Sequence, residues 1–228
     1  TRRLKRFSLT LNNRAMAADF QTVLSSPDAT YSEGLLFFRG KGMLNSALQK
    51  IAADLEREGI DYVAIEAIAL NRHGYRRFTE DIDLLLTREG LEKFREKLIG
   101  RGYQPAFEGA RKKYRTSENI PLEITTTGEF PGDGKPKSVV FPDPADVVVI
   151  IDEVKTINLE KLIELKLASG MTAADRLKDL ADVQELIKVK RLDAAFAENL
   201  DASVRARFVE LAEAVAAGKP VFVDFTAA

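Results

Sequence analysis

The stretch Val63–Leu86, VAIEAIALNRHGYRRFTEDIDLLL, decides how this chain is read. Its last third carries two aspartates, Asp81 and Asp83, directly ahead of the apolar run Leu84-Leu85-Leu86. An apolar run of this length bounded by polar residues predicts a buried strand over Ile82–Leu86. Side chains at i and i+2 of a strand share a face, so the two carboxylates point the same way. Two like charges that close repel unless a cation lies between them. Magnesium is held by one or two carboxylates together with substrate phosphates, which suits this pair to phosphoryl chemistry. A D-x-D triplet is weak by itself, because a strand end with two solvated acids looks the same. Glu123 in IPLEITTT adds a third acid. Its neighbours Leu122 and Ile124 face the opposite side, and an acid on an inner strand is costly unless paired or metal-bound.

Working outward, Tyr62–Ile65 predicts a strand and Ala67–Asn71 a short helix closed by His73-Gly74. Upstream, Leu44, Leu48, Ile51, Ala52 and Leu55 recur at helical spacing over Leu44–Glu58, with Gly59 as the stop. Downstream, Arg88–Gly100 is an amphipathic helix carrying Leu91, Phe94 and Leu98 on one face. Short strands are predicted at Tyr103–Phe107, Lys113–Thr116, Leu122–Thr126, Ser138–Phe141 and Val147–Ile151. The segment GEFPGDGKPK (128–137) is a loop by its glycines and prolines, and a candidate lid or specificity element. After Asn158 the period turns helical, with helices expected over Leu159–Gly170, Thr172–Val189 and Asp201–Ala217.

The bulk numbers narrow the chemistry. The chain has 228 residues, net charge -1 and 45% hydrophobic residues, which allows a core without staples. It has no cysteine and one histidine, so thiolate sites are excluded and a zinc centre is disfavoured; any metal should be a hard cation on oxygen. The absence of cysteine fits a reducing cytoplasm. No apolar run is long enough to span a bilayer, so no membrane role is expected. There is no global basic bias of the kind that marks dedicated nucleic-acid binders. Basic residues outnumber acidic ones eight to three over the first fifty positions. The apolar residues there show no clear period, and we expect a partly ordered arm over 1–42.

The motif set as a whole resembles the polymerase-β-type nucleotidyltransferases, in particular their minimal, AbiEii-toxin-like branch. The resemblance lies in a strand, a small-residue turn, a short helix, H-G (His73-Gly74), an arginine and then T-x-D-I-D (Thr79–Asp83). It continues in LEKLIELKLASGMTAADRLKDLADVQELI (159–187), with a lysine on one helix and R-x-x-D-x-x-D (Arg176, Asp179, Asp182) on the next. It covers roughly residues 44–200.

The resemblance implies an α/β (α+β) fold: a mixed, mainly antiparallel sheet with flanking helices, followed by a small helical domain. Domains would be an arm at 1–42, a catalytic domain at 43–155 and a helical domain at 156–228. It implies that Asp81, Asp83 and Glu123 hold Mg2+ or Mn2+, Glu123 standing where the family usually has aspartate. Ala67, Arg77, Lys166, Arg176 and Asp182 (or Asp179) would serve the nucleotide, Lys166 on its phosphates. The implied activity moves an NMP from an NTP to an acceptor hydroxyl on an RNA end such as tRNA, a protein or a small molecule. The protein would then be a candidate toxin with a cognate antitoxin. One departure matters. The family has Gly-Gly or Gly-Ser at the turn after the first strand, and this chain has Glu66-Ala67. A carboxylate there would repel phosphate and fill its space. Three explanations stand open: a shifted alignment, a side chain that turns away, or a catalytically degenerate binding or antitoxin-like module. His73 is either a contact to substrate or helper in proton transfer, or a turn histidine bonded to backbone.

Overall fold

The computed structural model describes residues 19–218. The first part of the expected basic arm and the apolar tail VFVDF lie outside them. Chain order begins with helices α1 (Phe20–Leu24), α2 (Pro27–Phe37) and α3 (Gly42–Arg57). Next come β1 (Tyr62–Ala64), α4 (Glu66–Arg72), β2 (Ile82–Leu86) and α5 (Arg88–Leu98). Strands β3 (Tyr103–Pro105), β4 (Lys113–Thr116) and β5 (Pro121–Thr126) follow, then a short helix α6 (Pro144–Val147) and the hairpin β6 (Val148–Ile151) and β7 (Val154–Ile157). The chain closes with α7 (Leu159–Thr172), α8 (Leu177–Lys190) and α9 (Ala202–Ala217).

The strands form one seven-stranded mixed sheet in the order β3-β4-β5-β2-β1-β7-β6. Four of its six pairings are antiparallel; β1 with β7 and β2 with β5 are parallel. The mixed, mainly antiparallel sheet with flanking helices is therefore as expected. Strand alternation divides the apolar residues between two cores. Tyr62, Ala64, Ile82, Leu84, Leu86, Leu122 and Ile124 face α3 and α5, whose Leu48, Ile51, Leu91 and Phe94 fill that side. Val63 and Leu85 face the other side, against Ile163 and Leu167 of α7, Val183 and Leu186 of α8, and Phe208 of α9. Residue parity does the rest: Asp81, Asp83 and Glu123 stand on the same face as Leu85, under the helical half of the chain.

Several elements differ from the sequence reading. Residues 20–37 form two helices whose Phe20 and Phe37 enter the core. No period was legible there because α2 leaves Tyr31, Leu35 and Leu36 exposed. Its start was legible: Ser26 caps Ala29 N and Pro27 occupies the first turn. Ser138–Phe141 is not a strand. Phe141 N donates to Glu129 O and Gly128 N to Phe141 O, so this segment closes the Gly/Pro loop and joins no sheet. The strand β7 was missed and runs across the expected boundary at 155–156; Asp152 and Glu153, both with positive φ, make the tight turn that feeds it. Gly170 does not end α7. A Cβ there would lie 2.6 Å from Leu180 Cγ, so the glycine lets α7 and α8 approach closely. Among the described residues no helix is long and apolar enough to cross a membrane.

Candidate active site

The site is built where β2 and β5 lie side by side. Asp83 and Glu123 are register partners across this parallel pair, and Asp81 precedes β2 by one residue. All three line a cavity of about 510 Å³. Its other walls are Ile65, Glu66 and Ala67 at the turn after β1, Arg77 and Thr79 from the loop before β2, and Leu165, Ser169, Asp175, Arg176 and Lys178 from the helical half.

Electrostatics single out Asp83. Burial raises its pKa well above the ordinary 3.8, the charges of Asp81, Glu66 and Glu123 raise it further, and Lys166 offsets only part. Asp83 makes no ion pair among the described residues. Asp81 accepts a hydrogen bond from Thr79 Oγ1 at 2.5 Å. Glu123 is half-exposed and pairs with Lys113 Nζ at 3.0 Å. With those two acids so engaged, no three His, Asp or Glu side chains among the described residues make a ready ligand set. The chemistry of the donors nevertheless fits a hard divalent cation. A carboxylate whose charge is disfavoured by burial and three acidic neighbours gains most from one, and magnesium needs only one or two carboxylates when phosphates complete its shell.

Behind this cluster sits a buried ion network. Lys166 on α7 is 2% exposed. Its Nζ lies 2.5 Å from Glu66 Oε2, 2.9 Å from Asp179 Oδ1 and 3.0 Å from Asp182 Oδ2. Burial by itself would lower its pKa, yet the charges of Glu66, Asp179 and Asp182 outweigh burial and raise it, so the ammonium stays charged. Asp179 is fully buried; burial pushes its pKa up, but Lys166, Ser169 and Arg176 pull it below the ordinary value. Arg77 donates twice to Asp182, at 2.8 and 3.1 Å. Asn71 holds the Arg77 backbone through its N and O, which sets the loop leading to Asp81.

The candidate residues thus fall into two groups. Asp81, Asp83, Glu123, Ala67, Arg77 and Arg176 line the cavity. Lys166 and Asp182 lie behind it, each closed in by opposite charge. Both Asp179 and Asp182 reach Lys166, so the R-x-x-D-x-x-D motif works as a unit. His73 is buried and its Nε2 lies 2.8 Å from Ile157 O, the backbone-bonded alternative.

Solved structures resemble parts of this architecture. The antibiotic-resistance factor ANT(2'')-Ia, in solution, aligns with a TM-score of 0.49 at 16% identity, over 74% of this chain and 95% of that chain. Its crystal structure in complex with adenylyl-2''-tobramycin gives 0.48 at 16% identity, over 72% and 96%. TM1012 from Thermotoga maritima, a nucleotidyltransferase candidate, gives 0.43 at 18% identity, over 60% and 89%. No family model and no curated protein matches the sequence.

Two features of the cavity singled out in the sequence take their geometry only from the tertiary structure. The loop 128–137 forms a fixed wall through Glu129, Phe130, Pro131 and Gly132. Lys137 Nζ ties it by donating to Pro131 O at 2.6 Å and Thr172 Oγ1 at 3.0 Å. Gly132, with φ +72°, rests on α7, where a Cβ would come 2.8 Å from Ser169 O. The second feature is Glu66. It stands in the left-handed region at φ +50°, where a Cβ is strained and glycine is at ease. Its carboxylate bridges Lys166 and, at 3.6 Å, Arg176.

Proposed function

We propose that this chain is a metal-dependent nucleotidyltransferase that moves an NMP from an NTP to an acceptor hydroxyl. The observation that supports it is the meeting of Asp81, Asp83 and Glu123 on one sheet face, in a cavity whose opposite wall offers Arg176 and Lys178. In this reading the acceptor oxygen attacks the α-phosphorus in line and pyrophosphate leaves. Asp81 and Asp83 would hold Mg2+ or Mn2+, with Glu123 joining on release from Lys113, and the cation would stabilise charge on the attacking and leaving oxygens. Arg176 and Lys178 neutralise the phosphates. Phe130 and Phe141 give the cavity an apolar side able to pack a planar base. Thr79 orients Asp81 through its hydroxyl. An RNA end, a protein or a small molecule remains the acceptor class, and the toxin half of a toxin–antitoxin pair is the finer reading, supported by sequence resemblance alone.

The test is incubation with each α-labelled NTP, magnesium and total cell RNA or protein. Label transfer is expected, and Asp81→Ala with Asp83→Ala should abolish it. A double variant that transfers as well as the parent would overturn the proposal. One observation favours a second reading, a non-catalytic binding module: Glu66 occupies the turn that a phosphate would approach and is ion-paired there. Absence of transfer from every NTP, with transfer appearing in Glu66→Gly, would favour that reading.

A further inference from the structure

The cavity's cations are unequally available. Arg77 is held by Asp182, and Lys166 is enclosed by three carboxylates. Lys178 is exposed and makes no ion pair among the described residues, and Arg176 stands between these cases. Its Nε donates to Asp179 at 2.8 Å, while another nitrogen faces Glu66 at 3.6 Å, and its side chain is 35% exposed on the cavity wall. The Glu66 carboxylate thus lies against the cationic corner in the manner of a bound anion. It is held there at the cost of a left-handed backbone, a strain that persists only where surrounding contacts over-determine it.

We propose that Glu66 is a resident anion, which a polyphosphate ligand must displace from Arg176 in order to bind. The inference rests on the nucleotidyltransferase reading of the cavity and adds how its phosphate side is controlled. Exchange is feasible for three reasons. The Glu66–Arg176 contact is long, so its own opening loses little, and the shorter bond from Lys166 that opens with it sets most of the threshold. The Glu66 side chain is 29% exposed and has room to swing toward solvent. When it leaves, Lys166 keeps Asp179 and Asp182, so no buried charge is orphaned. A guanidinium carries five N–H donors in a planar fork, enough to keep Asp179 and take a phosphate as well. The consequence is a threshold: weak phosphate ligands lose to the tethered carboxylate, and a chelated triphosphate can win.

The experiment is calorimetric titration of the full chain with inorganic tripolyphosphate, which needs neither base recognition nor catalysis. Glu66→Gln keeps the shape and removes the charge. It should bind about tenfold tighter than the parent. Glu66→Gly, which also relieves the positive φ, should gain at least as much. Adding Arg176→Gln to Glu66→Gln should return affinity to the parent level. Glu129→Gln, which removes an equal charge from another wall of the same cavity, should change affinity less than about threefold. The proposal is overturned if Glu66→Gln does not tighten binding, if Glu129→Gln matches it, if the gain survives Arg176→Gln, or if no variant binds tripolyphosphate. It is also overturned if neither Glu66 variant folds by thermal melting, since Glu66 would then be a strut. Absence of NMP transfer with the tripolyphosphate pattern intact would sink the catalytic reading and leave the resident anion standing. Transfer with no Glu66 effect would do the reverse.

Discussion

At Asp83 a single buried carboxylate opposes the stability of the fold when it ionises. Its carboxyl holds its proton well above the ordinary value because burial and three acidic neighbours disfavour the anion. The sign follows from linkage. A raised folded pKa means the native state binds the proton more tightly than the unfolded chain, so ionisation of Asp83 subtracts stability. That loss begins above pH 3.8, the ordinary value, and is complete once pH exceeds the folded pKa. Asp83→Asn should therefore melt higher than the parent at neutral pH without divalent metal, by about 2–4 °C, the shift that ~1 kcal/mol produces in a chain of this size. The advantage should vanish near pH 3, where both forms are neutral. Magnesium should raise the melting point of the parent and leave Asp83→Asn nearly unmoved. Equal melting points for the two proteins in metal-free buffer would show that Asp83 is not strained as an anion.

At the scale of elements, the α7–α8 contact sets how the helical motif meets the sheet. Gly170 lies in the last turn of α7, where alanine is still intrinsically better, by up to about 1 kcal/mol. Packing reverses that preference, since a Cβ would sit 2.6 Å from Leu180 Cγ and 3.2 Å from Leu180 N. Overpacking of this kind costs about 1–3 kcal/mol, so Gly170→Ala should lower stability by roughly 1–2 kcal/mol in urea denaturation. A stabilised Gly170→Ala would mean the helices can part without loss. The spacing matters because Lys166 and Ser169 reach Asp179 across this same contact. The loop 128–137 is a second case. Its composition marked it as irregular, yet Lys137 and Gly132 lock it against α7 as a wall of the cavity. Nothing in a Gly/Pro count shows which surface a loop will lie on.

For the whole molecule, the network centred on Lys166 joins the two halves. Glu66 comes from the turn after β1, Asp179 and Asp182 from α8, and Arg77 from the loop before β2. Lys166→Met should destabilise the fold by up to about 3 kcal/mol, because Asp179 and Asp182 each lose a buried cation and keep only one arginine contact, from Arg176 and Arg77. The pH dependence has a definite sign. Asp179 has a folded pKa below 3.8, so its pairing contributes stability above that value and loses it as pH falls through the folded pKa. Parent stability should thus drop in strong acid, while the gap between parent and Lys166→Met should narrow there. A gap that is constant from pH 7 to pH 2 would show that the loss is one of packing alone.

Much of this was legible in the chain itself. The run Leu84–Leu86 announced the strand because burial on both faces demands unbroken apolar residues, and Leu122, Glu123 and Ile124 showed by alternation which way Glu123 points. Helices α3 and α5 were visible in their apolar spacing, and α9 in the Gly218 that ends it. Helix α2 and strand β7 were not, since one keeps apolar residues exposed and the other breaks its apolar residues with Lys155 and Thr156. The sequence by itself determined the carboxylate side of the site, because two-residue periodicity is local and puts Asp81 and Asp83 on one face wherever the strand lies. Only the tertiary structure decided the cation side. Lys166 and Glu66 are one hundred residues apart, and their ion pair depends on α7 crossing the turn after β1. That crossing is set by sheet order and helix packing, which no local pattern encodes.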